Sequence, residues 1–182
     1  MSIFEPLRDF FRRRVVKKLN ESASTTRLVR ERVESKIGFV YPGANFIDSI
    51  QIAEQGVGYV DYGISPLGDR LYINRIKLEP GRQLQCIGLH VLWLLWLKHG
   101  LPIVPMNHNA LSDDCWDRTR GRLAAAGAQI GEELRSDEQM MMEQQRWQHL
   151  LPKPGHESLI RELKASPEWP HIQTRFETWK DL

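Results

Sequence analysis

The sequence predicts a mixed α/β fold: a central, mostly antiparallel sheet containing a β-loop-α-β unit, an N-terminal amphipathic helix and a C-terminal helical extension. Three observations predict it. Residues 46–78 are rich in β-branched and aromatic side chains and are broken by glycine-bearing turns. Residues 84–99 are apolar on nearly every side, as in a helix buried between layers. Residues 3–19 repeat apolar side chains at helical spacing among cationic ones. With 182 residues, 41% hydrophobic and 26% charged, the chain has enough apolar surface for one core rather than two. A single domain over 1–182 is expected, with N-terminal helices in 1–38, a core in 45–134 and a helical extension in 135–182.

In the first helix Phe4, Leu7, Phe10, Phe11, Val15 and Leu19 recur at helical intervals, and Arg8, Arg12, Arg13, Lys17 and Lys18 fill most of the rest. Such a helix packs one stripe on the body and solvates its charges; an anionic membrane surface or a nucleic acid is the alternative use. Ser24, Thr25 or Thr26 can cap a second helix running through Leu28, Val29 and Val33 to Gly38. After Pro42-Gly43 three strands follow, at 46–53, 58–64 and 71–78, with Gln55-Gly56 and Pro66-Leu67-Gly68-Asp69 as turns. Strict alternation in the last strand puts Tyr72, Asn74, Ile76 and Leu78 on one face and Ile73, Arg75 and Lys77 on the other.

Pro80-Gly81 stops that strand and Gly100 ends the apolar helix. Trp93 and Trp96 within it fill core, and His90 is a hydrogen-bonded core residue. Residues 101–106 read as a short buried strand that Pro102 and Pro105 put at an edge or bulge. Ser112 caps a further helix, with Asp113 and Asp114 in its first turn, ending at Gly127. A brief strand at 128–134, a helix over 136–150 and a hinge at Pro152, Pro154 and Gly155 complete the reading. Trp169, Phe176 and Trp179 lie in a polar C-terminal segment.

The net charge of +2 does not argue for nucleic acid, but it is unevenly spread. Residues 1–36 carry ten Lys or Arg against five acids, and 132–182 carry seven against ten. The two ends can meet each other or different partners, including a partner protein or a second copy of the chain. Cys86 and Cys115 are too few for a disulfide framework and read as reduced thiols. Charges follow the first apolar patch rather than precede it, unlike a secretory signal, and the apolar run at 91–97 is far short of a bilayer span of ~20 residues. A soluble, cytoplasmic protein without a transmembrane segment is expected. Six His and two Cys show no zinc spacing, so no metal is expected.

Chemistry concentrates in residues 71–127. The segment Gln83-Leu84-Gln85-Cys86-Ile87-Gly88 stands between a strand and an apolar helix, and a strand, Asn109 and a helix closing in Leu123-Ala124-Ala125-Ala126-Gly127 follow. In the order and spacing of these parts the chain resembles the general N-acetyltransferase (GNAT) superfamily, whose loop reads Gln/Arg-x-x-Gly-x-Gly/Ala. Here Gln83, Cys86 and Gly88 occupy those positions, with cysteine in place of the first glycine. The resemblance covers about a third of the chain well and about half weakly.

It implies that acetyl-CoA is the co-substrate and an amine the acceptor. Backbone N–H groups of Arg82, Gln83, Leu84, Gln85, Cys86, Ile87 and Gly88 would hold the pyrophosphate at a helix start, with Arg82 and Arg75 adding charge. Leu78 would offer a strand N–H to the thioester carbonyl, and Asn107 or Asn109 would meet the cofactor arm. The tyrosine that relatives carry before the terminal Gly, to protonate the leaving thiolate, is absent from 120–127. For taking the amine proton, Glu79 and His108 are the candidates, with Glu54 and Asp61 behind them. A GNAT-fold protein that binds without turnover is the alternative reading.

Overall fold

The structure is a computed structural model that describes residues 5–36, 43–81, 87–106, 113–150, 155–167 and 169–170. Its elements run α1 (Glu5–Ala23), β1 (Thr26–Lys36), β2 (Gly43–Ile52), β3 (Gln55–Ile64), β4 (Leu71–Leu78), α2 (Ile87–His99), β5 (Ile103–Pro105), α3 (Asp113–Ala125), α4 (Asp137–Gln145) and α5 (Gly155–Ala165). The five strands form one sheet in the order β1-β2-β3-β4-β5. All neighbours are antiparallel except β4 and β5, which are parallel and joined through α2. The mixed α/β class and mostly antiparallel sheet expected from sequence are present. Two compact units divide the chain, Met1–Gln148 and His149–Leu182, so α4 belongs to the first. Within the second, Lys164 lies 5.7 Å from the Trp169 ring centroid.

The second N-terminal helix expected after Ser24 does not form; those residues are β1. Thr26, Leu28 and Arg30 pair with Ile52, Ile50 and Asp48 of β2. Thr26 and Leu28 turn toward the core while Arg27 and Val29 are exposed, a two-residue period hidden in the sequence because Arg30 occupies an inward position. Its guanidinium is accepted there by Asp48, a partner eighteen residues away. The β2–β3 turn also lies earlier than expected. Ala53 and Glu54 form it, with φ of 49° and 68°, and Gln55 and Gly56 already belong to β3.

In β4 strict alternation fails at a bulge. Asp61 pairs with Arg75 but Tyr62 pairs with Ile73, so Asn74 is an extra residue opposite β3. The insertion shifts the side-chain phase. Leu71, Ile73, Ile76 and Leu78 all turn to the core, whereas strict alternation separates Ile73 from Ile76 and Leu78. Asn74 instead donates to Asn45 Oδ1 at 2.7 Å and Asp61 Oδ1 at 2.8 Å.

That core joins Ile50, Val60, Tyr62, Leu71 and Ile73 of the sheet to Leu19 and Ala23 of α1, to Ile87, Val91, Leu92, Trp93 and Leu95 of α2, and to Leu123 of α3. Trp93 is fully buried, stacks on Trp96 at 5.1 Å, and donates its indole N–H to Asn20 Oδ1 at 2.9 Å. Arg12 of α1 donates from Nε to the Ala126 carbonyl at 3.2 Å, satisfying a backbone group left open at the end of α3. The strand expected at 128–134 is reduced to two parallel bridges, Ile103 with Ile130 and Met106 with Leu134. On the opposite side of the sheet, α4 is moored by Glu143, which accepts from Tyr72 Oη and, at 2.9 Å, from Arg70 Nη1. Ser136 and Gln139 close a capping box at the start of α4.

Candidate functional site

The β4–β5 pair carries the feature that matters for chemistry. Among the described residues β5 pairs with Leu71, Tyr72 and Ile73, the first three of the eight residues of β4, and residues 107–112, which follow Met106, lie outside the described residues. The Leu71 N–H donates to the Pro102 carbonyl at 2.8 Å and the Met106 N–H to the Ile73 carbonyl at 2.9 Å. Met106 also bridges to Leu134, on the far side from β4. Among the described residues, 74–78 have no strand partner on the β5 side. Asn74, the next residue of β4, is the bulged one, and a bulge bends its strand and increases local twist.

Hydrogen-bond alternation fixes which backbone groups face this side of β4. Glu79 N–H donates to the Val57 carbonyl at 2.9 Å. In an antiparallel ladder, hydrogen-bonded pairs recur every second residue, so Lys77 with Tyr59 and Arg75 with Asp61 continue the series. Ile76 and Leu78 then turn their N–H and C=O groups away from β3, toward the β5 side of β4. Leu78, expected to offer such an N–H, has this orientation. Ile76, two residues earlier in the same register, shares it.

Gly58 on β3 allows the close approach of this part of β4. A Cβ there would overlap the Lys77 carbonyl oxygen and lie 3.0 Å from Leu78 Cα. A lone glycine inside a strand pattern is the sequence signal for such proximity.

α2 begins beside β1, where Thr26 Oγ1 stands 3.4 Å from Nδ1 of His90 in its first turn. It follows β4 in the chain and leads to Ile103, opposite Leu71. Its first-turn amides, 87–90, have no acceptor inside the helix and carry the positive end of its dipole. Ile87 is fully buried in the core. Gly88 is half-buried, and a Cβ built on it would meet nothing within 4 Å. Arg82, Gln83, Leu84, Gln85 and Cys86 of the expected loop lie outside the described residues, as do Asn107, His108 and Asn109.

Of the remaining acid–base candidates, Glu79 is exposed just beyond β4 and Glu54 is exposed in the β2–β3 turn. Asp61 accepts from Asn74. Arg75, considered above for the phosphates, is bonded to the side chain of Tyr59, and that bond first, then the Tyr59 charge, raises its pKa. His90 is half-buried in α2 with Thr26 Oγ1 3.4 Å from Nδ1, as expected of a hydrogen-bonded helix histidine, and burial lowers its pKa.

A second polar cluster was not foreseen. Asp48 is fully buried and accepts from Arg30 Nε, from Tyr62 Oη at 2.9 Å and from Lys98 Nζ at 3.3 Å. Burial alone would raise its pKa, but the bonds from Arg30 and Tyr62 and the charge of Lys98 hold the carboxyl below its usual range. Burial, then the bond to Asp48, pushes the Tyr62 phenol above its ordinary value. His99 packs its ring edgewise on Tyr62 at 5.7 Å; burial and the neighbouring Lys98 lower its pKa. With every acceptor of Asp48 engaged, this cluster ties β1, β2, β3 and α2 together.

Among the described residues no group of three or more His, Cys, Asp or Glu is arranged to hold a metal, and no helix is long and apolar enough to cross a membrane. Compared with known proteins, the chain matches no family model, no curated protein and no solved structure.

Proposed function

We propose that the protein binds an acyl-CoA thioester along the C-terminal half of β4, on its β5 side, and transfers the acyl group, acetyl in the simplest case, to an amine. The observation that supports this reading is the parallel β4–β5 pair with α2 as its crossover, β4 being bulged at Asn74 just beyond the residues that pair with β5. A pantetheine arm is a narrow amide-bearing chain that can pair with strand backbone. The N–H groups of Ile76 and Leu78 that turn away from β3 would donate to it or to the thioester oxygen, which gains negative charge as the amine attacks. The first-turn amides of α2 suit the pyrophosphate. The amine nitrogen bonds to the carbonyl carbon, the C–S bond breaks, the thiolate leaves and the ammonium proton passes to a base. Glu79 and His108 are the candidates for that base.

A second reading, coenzyme A binding without turnover, is favoured by one observation: 120–127 contain no tyrosine to protonate the thiolate. Calorimetric titration with acetyl-CoA and with coenzyme A, followed by thiol release over a panel of amines and peptides, separates the two. Saturable binding with thiol release supports transfer. Binding with no release across the panel selects the second reading, and no binding at roughly millimolar ligand, a ceiling of about −4 kcal/mol, removes both.

A further inference from the structure

One face of α1 is unexplained by packing. Phe10 and Phe11 are 61% and 60% exposed, although they are the largest apolar side chains described on this helix. At about 100° per residue, with Phe10 as origin, Arg14 falls near 40°, Lys18 near 80°, Phe11 near 100° and Lys17 near −20°. Leu19 and Ala23, which join the core, fall near 180° and 220°. The two rings and three cations therefore share the outward strip with Glu21, near 20°, and all six side chains are exposed. The inward side is held by Leu19, Ala23 and the Asn20 bond to Trp93, so the strip can lie flat against another surface without leaving the body.

We propose that this strip, Phe10 and Phe11 followed by Arg14, Lys17 and Lys18, docks the protein on an anionic lipid bilayer. Charge and shape select that occupant. The rings touch edge to face, 5.8 Å apart at 77°, forming one apolar knob that can enter the acyl boundary. The cations follow within two turns on the same strip, within reach of headgroup phosphates, and long cationic side chains extend their charge toward that level. A nucleic acid would require open ring faces for stacking and a wide basic belt. Here each ring covers part of the other, and Asp9 and Glu21 interrupt the helix, Glu21 lying 3.8 Å from Lys17. The inference does not depend on the acyl-transfer reading.

Sedimentation of the full chain with vesicles tests it. Vesicles of phosphatidylcholine and phosphatidylserine, about seven to three, should bind at least roughly tenfold better than phosphatidylcholine alone, and binding should weaken as salt rises. The Phe10→Ser/Phe11→Ser variant should lose about tenfold or more in partitioning while melting like the parent. The Arg14→Gln/Lys17→Gln/Lys18→Gln variant should lose a similar factor on anionic vesicles only. Failure to sediment with anionic vesicles, or undiminished binding by the phenylalanine variant, overturns the proposal. Tighter binding to a single-stranded oligonucleotide than to these vesicles replaces it with a nucleic-acid surface.

Discussion

Gly58 faces the Lys77 carbonyl so closely that no other residue fits. Gly58→Ala would set a methyl against backbone rather than against a movable side chain, so β3 and β4 must separate at Lys77 and Leu78. We expect a loss of about 2–4 kcal/mol in urea-induced unfolding. Gly121 in α3 has nothing within 4 Å of a built Cβ; Gly121→Ala should stabilise by about 0.5–1 kcal/mol. Equal effects at the two positions would refute the proximity argument.

The β2–β3 turn holds two left-handed residues, Ala53 and Glu54, neither a glycine. Both carry a steric cost that an asparagine followed by a glycine, the pair suited to such a two-residue hairpin, would avoid. The double variant Ala53→Asn/Glu54→Gly should raise stability by about 1 kcal/mol, seen as a higher melting temperature.

Acid should weaken the fold in two stages. His90 and His99 have lowered pKa values, so the unfolded chain binds more protons and stability falls as pH drops below about 6.5. Asp48, whose carboxyl is held low, contributes stability that is present above about pH 4 and lost as pH falls through its folded value. Melting temperatures from pH 7.5 to 3.5 check both stages. His99→Gln should flatten the upper one. Asp48→Asn should cost about 3 kcal/mol at neutral pH, leaving Arg30 and Lys98 without their shared anion.

Gly88 separates ligand binding from folding. Because a Cβ built there meets nothing within 4 Å, Gly88→Leu should fold and melt at or above the parent temperature. If the α2 amides hold pyrophosphate, coenzyme A affinity should drop roughly tenfold or more, about 1.4 kcal/mol. Unchanged affinity in calorimetry would move the phosphate site off this helix.

What the sequence disclosed follows from how local each signal is. α2 and strands β2 to β4 announce themselves by composition, because apolar and β-branched runs need no distant partner to be recognised. β1 does not, since its inward Arg30 reads as polar until Asp48 is known to accept it. The Asn74 bulge is equally silent, as it exists only relative to the β3 register. For the candidate site, strand, helix start and returning strand were legible in order. The outward amide of Leu78 was named only as an implication of resemblance, and that of Ile76 follows by alternation once β3 is known as the partner.

The Arg12 bond to Ala126 spans 114 residues, whereas the sheet from β1 to β4 grows by successive neighbouring hairpins. At about 5–20 residues per second, a ribosome delivers the acceptor some 6 to 23 s after its donor. The leading helix must wait, apolar stripe uncovered, while the hairpins behind it assemble. In a nascent chain, the interval before that clasp closes is the period of greatest exposure to chaperones and to aggregation.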